Sequence, residues 1–229
     1  MTIPKNIFQT HKSLVYLISK KKTKLLQAMN SWKKISNNYN YYFYNNIMCD
    51  NFMKNNFDEN VYKAYSILPL GVMKADLWRY CIIYKYGGIY ADVDTVLLTD
   101  PVLFLTDAFL TVVPENETHL CQWVFSAPAG SPILKTIIDL SVERILTTEI
   151  KGEHIIHHLT GPGCFTDGIE KYLLENNKPT FSNKKDYFGY SDSCLKVFNY
   201  DYFHKKIVKH LYSGQDDDGW CNERNRTLM

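Results

Sequence analysis

Residues 74–98 read "KADLWRYCIIYKYGGIYADVDTVLL" and decide the fold. The first half predicts a helix over 72–86, on which Asp76, Arg79, Tyr80 and Ile83 fall on one stripe at spacings of three and four. Gly87 and Gly88 stand where such a helix stops. A short strand over 89–91 follows and delivers Asp92-Val93-Asp94 at its exit. In an extended segment residues i and i+2 project to one side, and a rise of about 3.3 Å per residue sets two such residues about 7 Å apart at the backbone. The two carboxylates are therefore expected to converge on one ligand. Hard oxygen donors at a solvent-open strand exit suit Mg²⁺ or Mn²⁺, which keep coordination positions open for phosphate oxygens, so a metal-bridged diphosphate is the natural occupant. The plainer alternatives are a polar turn for Asp92 and Asp94, and an ordinary i,i+3 helix ion pair for Asp76 and Arg79.

Outward from this stretch, strands and helices alternate. A proline-led apolar run over 3–9 reads as a first strand whose exit is polar Gln9, Thr10 and His11, and strand exits are where α/β folds hold ligands. A helical period over 14–32 is interrupted by the basic run at 20–24, which reads as a solvated helix face or, alternatively, as a membrane-surface contact. The aromatic segment 38–46 fits a second strand ending in an Asn turn. Further on come a strand over 123–127, a helix over 132–146, and a Thr-Gly-Pro-Gly turn at 160–163 feeding a helix capped by Thr166. No repeat and no Ser/Gly/Pro linker splits the chain, so residues 1–229 are expected to form one α/β domain with a mostly parallel central sheet flanked by helices.

Composition narrows the function. With 26 basic against 24 acidic residues and a net charge of +2, no global field points to nucleic acid or to a membrane. The six cysteines are scattered singly without a C-x-x-C pair, which favours reduced thiols over a zinc or redox site. No window approaches a membrane span of ~18 apolar residues and the amino end has no signal-peptide core, so a cytoplasmic protein without a transmembrane segment is expected.

"ADLWRY" followed by "YKYGGIYADVD" resembles the signature A-D-x-x-R-Y…Y-x-G-G-x-Y-x-D-x-D of the DXD-containing glycosyltransferases, a group that includes fungal initiating mannosyltransferases and capsular polysaccharide glycosyltransferases. "IPKNIFQT", "CQWVFSAPAGSPIL", "TGPG" and "KHLYSG…GW" are similar to further family segments, so the resemblance covers most of the chain. Phe8 replaces the usual His, no Trp follows Gln9, and "QDDDG" is inserted before Trp220.

The resemblance implies a GT-A-like, Rossmann-related fold. It also implies a UDP- or GDP-sugar donor, a divalent metal, and hexose transfer with retention to a glycan or glycoprotein acceptor. It gives Asp94 direct metal ligation, Asp92 a share in metal and ribose, and His210 the role of third metal ligand. Asp76 would accept hydrogen bonds from the donor sugar, and Arg79 would hold sugar or phosphate and orient Asp76. Gln9, Thr10 and Tyr90 would join the nucleotide-sugar site, Gln122 and Trp123 would border the sugar, and Ser213 and Trp220 would close over the diphosphate. Against these stand a core role for Trp123 and a place for His210 beside the basic run 205–209 on a solvated helix. His154, His157 and His158 have metal-like spacing but read as ordinary helix or loop histidines.

Two other functions fit the same letters. "DVDT" matches a haloacid-dehalogenase-type phosphatase motif with Asp92 as nucleophile, although it arrives late in the chain and behind a Gly-Gly break. A sugar-nucleotide-binding module without catalysis is the other, opposed by the intact Asp76, Arg79, Asp92 and Asp94.

Overall fold

The computed structural model describes residues 2–34 and 38–212. Its strands in chain order are β1 (Asn6–Thr10), β2 (Asn40–Tyr44), β3 (Gly88–Ala91), β4 (Thr95–Leu97), β5 (Leu110–Val112), β6 (Val124–Ala127), β7 (Leu195–Val197) and β8 (Val208–His210). The main helices are α1 (Leu14–Ser19), α2 (Thr23–Lys33), α3 (Asn46–Asn56), α4 (Glu59–Ile67), α5 (Gly71–Tyr86), α6 (Pro132–Thr147), α7 (Ile155–Leu159) and α8 (Pro162–Glu175).

Six strands form one sheet in the order β2-β1-β3-β6-β5-β7. β1 runs parallel to both β2 and β3, β6 is antiparallel to β3 and β5, and β7 is parallel to β5. This is the expected mixed α/β class with a mostly parallel sheet. The pleat sorts side chains between two cores. Phe8, Tyr90 and Phe125 face the core shared with α5, α6 and α8, while Ile7, Ile89, Ala91 and Val124 face the one holding Trp32, Phe104 and Phe203.

Helix α5 is enclosed on nearly every side, with every residue from Asp76 to Ile83 buried, as befits a helix apolar around most of its circumference. It ends at Gly87, whose φ of +65° turns the chain straight into β3. A Cβ on Gly87 would lie 2.6 Å from Ala129 N, and one on Gly88, at φ +126°, would lie 2.6 Å from Asn6 O. The glycine pair thus permits both a left-handed turn and close approach to β1.

Several sequence expectations need correction. The first strand is shifted to Asn6–Thr10, so Gln9 and Thr10 are its last two residues rather than its exit. The helical period over 14–32 is two helices, broken where Lys21 takes φ +48°. Thr166 caps nothing: α8 starts at Pro162, whose fixed φ suits a first helical turn, and Thr166 lies one turn inside, donating to Pro162 O and accepting from Leu120 N. Helices α3 and α4, capped by Asn45 and Asp58, were not anticipated.

Candidate active site and metal centre

The site is built where β3 ends. Asp92 and Asp94 do not lie on an extended segment as the period-2 reading expected. The chain turns, with Thr95 N donating to Asp92 O at 3.1 Å. The Asp92 carbonyl also accepts from Thr95 Oγ1 at 2.5 Å and Gln9 Nε2 at 3.1 Å, and Asp92 N donates to Trp123 O at 2.8 Å. Val93, between the two acids, is buried against Leu17 and Met29. Thr95 is held in turn by Trp32, whose Nε1 donates to it. The turn is therefore braced from both sides of the sheet.

The small β4–β8 ribbon completes the site. Its register pairs Thr95 with His210, and Leu211 N donates to Asp94 O at 2.9 Å. His210 is thus on a strand, not on a solvated helix. Its Nε2 lies 3.2 Å from Asp94 Oδ1, its ring stacks on Trp123 at 4.5 Å and 2°, and its Nδ1 is buried with no hydrogen-bond partner. Asp92, Asp94 and His210 each offer a ligand atom, all within 4.8 Å of one another. No other such group of three or more acids, histidines or cysteines occurs among the described residues, the histidines at 154, 157 and 158 included. Two carboxylate oxygens and an imidazole nitrogen are a donor set suited to a Mn²⁺ or Mg²⁺ ion. Burial raises the Asp92 pKa against the pull of Arg79, and repulsion from Asp94 adds to the rise, which a cation between the two acids would relieve.

Behind this centre lies a second, enclosed network. Arg79 Nη2 stands 3.1 Å from Asp76 Oδ1 and 3.3 Å from Asp92 Oδ1, so one guanidinium joins the helix acid to the turn acid. The guanidinium also sits 4.7 Å from the ring centre of Tyr90, whose hydroxyl donates to Asp92 Oδ1. Burial works against the Arg79 charge, but Asp92, Tyr90 and Asp76 more than offset it. Asp76, only 1% exposed, accepts from Gln122 Nε2 and Thr160 Oγ1, both at 3.0 Å. Tyr80 ties these two together, its hydroxyl donating to Gln122 Oε1 and lying 2.7 Å from Thr160 O. Burial pushes the Asp76 pKa up to about 7 against the opposing pull of Arg79, Thr160 and Gln122.

Other residues expected at the donor are placed as follows. Gln9 is fully buried, its amide spanning Tyr41 Oη and Asp92 O, which makes it a brace beneath the turn. Thr10 bonds Tyr44 O and lines a cleft of about 340 Å³ that also includes Asn46, Asp50, Tyr65, Lys74 and Ala75. Cys49 lines it too, with burial pushing its thiol up to about 12, so it presents an unreactive wall. The five described cysteines are all free and buried. Gln122 and Trp123 are buried, the first on Asp76 and the second within a core cluster and against His210. Ser213 and Trp220 lie outside the described residues. Sequence reasoning missed Tyr80 and Thr160 as holders of Asp76. The Thr160 signal was present in the "TGPG" turn, which was read for its backbone and not for its hydroxyl.

Residues 22–115 match the family model of the glycosyltransferase sugar-binding region containing the DXD motif. The matched residues make up under half of the chain. Among related sequences, the initiation-specific alpha-1,6-mannosyltransferase of Candida albicans is 28% identical over 219 residues, covering 80% of this chain and 57% of its own length. The enzyme of the same name from Schizosaccharomyces pombe is 29% identical over 140 residues, covering 48% and 34%. The chain therefore spans little more than half of the first relative and about a third of the second. The solved structure of PaToxG glycosyltransferase superposes with a TM-score of 0.59 at 18% identity, over 76% of this chain and 70% of that one. The likeness shows a shared GT-A-like α/β fold, in which the matched residues 22–115 run from α2 to β5 and include α5, β3 and the DXD turn. The phosphatase alternative is not favoured by these relationships. No described helix is long and apolar enough to cross a membrane.

Proposed function

We propose that the protein transfers a hexose from a UDP- or GDP-sugar to a glycan or glycoprotein acceptor, with retention at the anomeric carbon, using Mn²⁺ or Mg²⁺. The observation that carries this reading is the convergence of Asp92, Asp94 and His210 within 4.8 Å of one another where β3 ends. Asp92, Asp94 and His210 would hold the cation, which would act as a Lewis acid on the departing diphosphate. The nucleoside end of the donor would occupy the cleft that Thr10 lines. Asp76 and Arg79 fix the Asp92 carboxylate from behind, and Arg79 would present positive charge to the sugar phosphate.

Thermal shift with a panel of UDP- and GDP-sugars, with and without Mn²⁺, tests the proposal. A matching donor at a hundred times its dissociation constant should stabilise the fold by about 2.7 kcal/mol, with Mn²⁺ required. Slow donor hydrolysis without acceptor would accompany it and distinguish an enzyme from a binding module. No shift with any donor, with or without metal, would sink the transferase reading.

A further inference from the structure

The donor site leaves one large feature unused. Residues 1–49 hold eight lysines and no Asp, Glu or Arg, so the net charge of +2 conceals +8 in this segment and −6 in the remainder, which has 18 basic against 24 acidic residues. In the fold this segment builds one end of the molecule, because β2 is the edge strand of the main sheet and β1 lies next to it. Lys12, Lys20, Lys21 and Lys24 are exposed and form no ion pair among the described residues.

Apolar groups are exposed at the same place. Helix α1 is anchored inward by Leu17, fully buried against Met29 and Val93. Its outer arc shows Leu14, Val15 and Ile18 to solvent at 39%, 74% and 59% exposure. Residues 14, 15 and 18 cover one arc of a helix at 100° per residue. This apolar arc is framed by lysines before and after α1.

We propose that this end of the molecule docks on an anionic lipid bilayer. Leu14, Val15 and Ile18 would enter the acyl boundary, and Lys12, Lys20, Lys21 and Lys24 would meet headgroup phosphates, as amphipathic segments do at an interface. The chemistry selects lipid over nucleic acid. Lysines are point charges suited to a diffuse anionic surface, the segment has no Arg fork for phosphate or base edges, and exposed aliphatic side chains offer no platform for base stacking. Because Val93 packs on the inner side of α1, docking would set the DXD turn about one helix diameter, ~10 Å, from the bilayer. Acceptors carried at a membrane surface would then be within its reach.

The test is flotation of the full chain with phosphatidylcholine vesicles, alone and mixed with phosphatidylserine, at an ionic strength of about 0.1 M. Binding to the mixed vesicles only, weakening with added salt, is expected. The double variant Val15→Asp/Ile18→Asp should bind at least about tenfold less, with its melting temperature and donor hydrolysis unchanged. Val15→Ser/Ile18→Ser carries the same test should the acidic pair impair folding. The proposal is overturned if the wild-type chain ignores phosphatidylserine vesicles or if both double variants bind as the wild type does. It is equally overturned if single-stranded RNA retains the protein more strongly than the vesicles.

Discussion

Asp76 and Asp94 are both acids held out of water, at 1% and 7% exposure, yet they sit in opposite kinds of surroundings. Around Asp76 the protein supplies the counter-charge and the donors itself, through Arg79, Gln122 and Thr160. Around Asp94 it gathers a second carboxylate and an imidazole, a donor set that fits a cation. A buried acid held by an arginine and two hydrogen-bond donors is a fixed part of the scaffold, whereas two carboxylates and an imidazole turned to one point can also serve a ligand. On the proposed function, the two halves of the site are a rigid backing on α5 and a metal-dependent face on the β3–β4 turn.

The largest effect should come from the metal-dependent face. Asp94→Asn keeps the shape but removes a charge beside Asp92, and turnover of donor should fall at least about 100-fold. The melting temperature without metal should hold or rise, because a like-charge contact has been relieved. An Asn variant as active as wild type would return Asp94 to the class of ordinary turn residues. His210→Ala should act on the same face more gently, raising the Mn²⁺ concentration for half-maximal effect about tenfold. Electron paramagnetic resonance of Mn²⁺ reads this directly and independently of turnover. An unchanged metal affinity would leave His210 with only its stacking on Trp123.

On the backing, Thr160→Val removes a hydroxyl from Asp76 at nearly constant volume. Loss of that hydrogen bond to a buried acid should cost about 1–3 kcal/mol of stability and lower turnover several-fold, while metal affinity stays as it was. Thr160→Ser should restore both. If Val and Ser variants behave alike, the Asp76 network does not depend on this bond.

The two halves were also unequally legible in the sequence. The backing is local: α5, the Gly87–Gly88 stop and β3 lie within one continuous pattern, in which helical spacing sets Asp76 one turn from Arg79 while their place in a site comes from the family resemblance. The fully enclosed α5 even hides its own stripe, since its other faces are apolar too. The metal face depends on a pairing between residues 95–97 and 208–210 that no periodicity carries, which is why His210 was found only through a family resemblance and its flank was open to a helical reading. Gln9 was misplaced for the same reason. A polar residue near a strand exit suggests a ligand contact, but only the fold shows its amide spent on Tyr41 and the Asp92 carbonyl. The charge split between residues 1–49 and the rest was visible in the sequence and concealed by the whole-chain sum.

The subtlest expected effect is a slope in stability with pH, and it follows from the cost of the backing. Burial holds the Asp76 pKa near 7, above its ordinary value of 3.8, with Arg79, Thr160 and Gln122 recovering only part of the shift. Between those two values the folded chain keeps a proton that the unfolded chain has released, so stability is highest below about pH 4 on this account and declines as pH rises toward 7. Asp76→Asn carries no proton to lose there. It also removes a negative neighbour from Asp92, whose own pKa is raised chiefly by burial. The melting temperature of the Asn variant should therefore gain on wild type by on the order of 10 °C between pH 4 and pH 7.5, measured without metal. Donor turnover in the same variant should fall, because an amide pairs less strongly with Arg79 and leaves the guanidinium less firmly directed at Asp92. A pH-independent gap between the two melting curves would mean that Asp76 is ionised throughout, and that Arg79 outweighs burial in setting its charge.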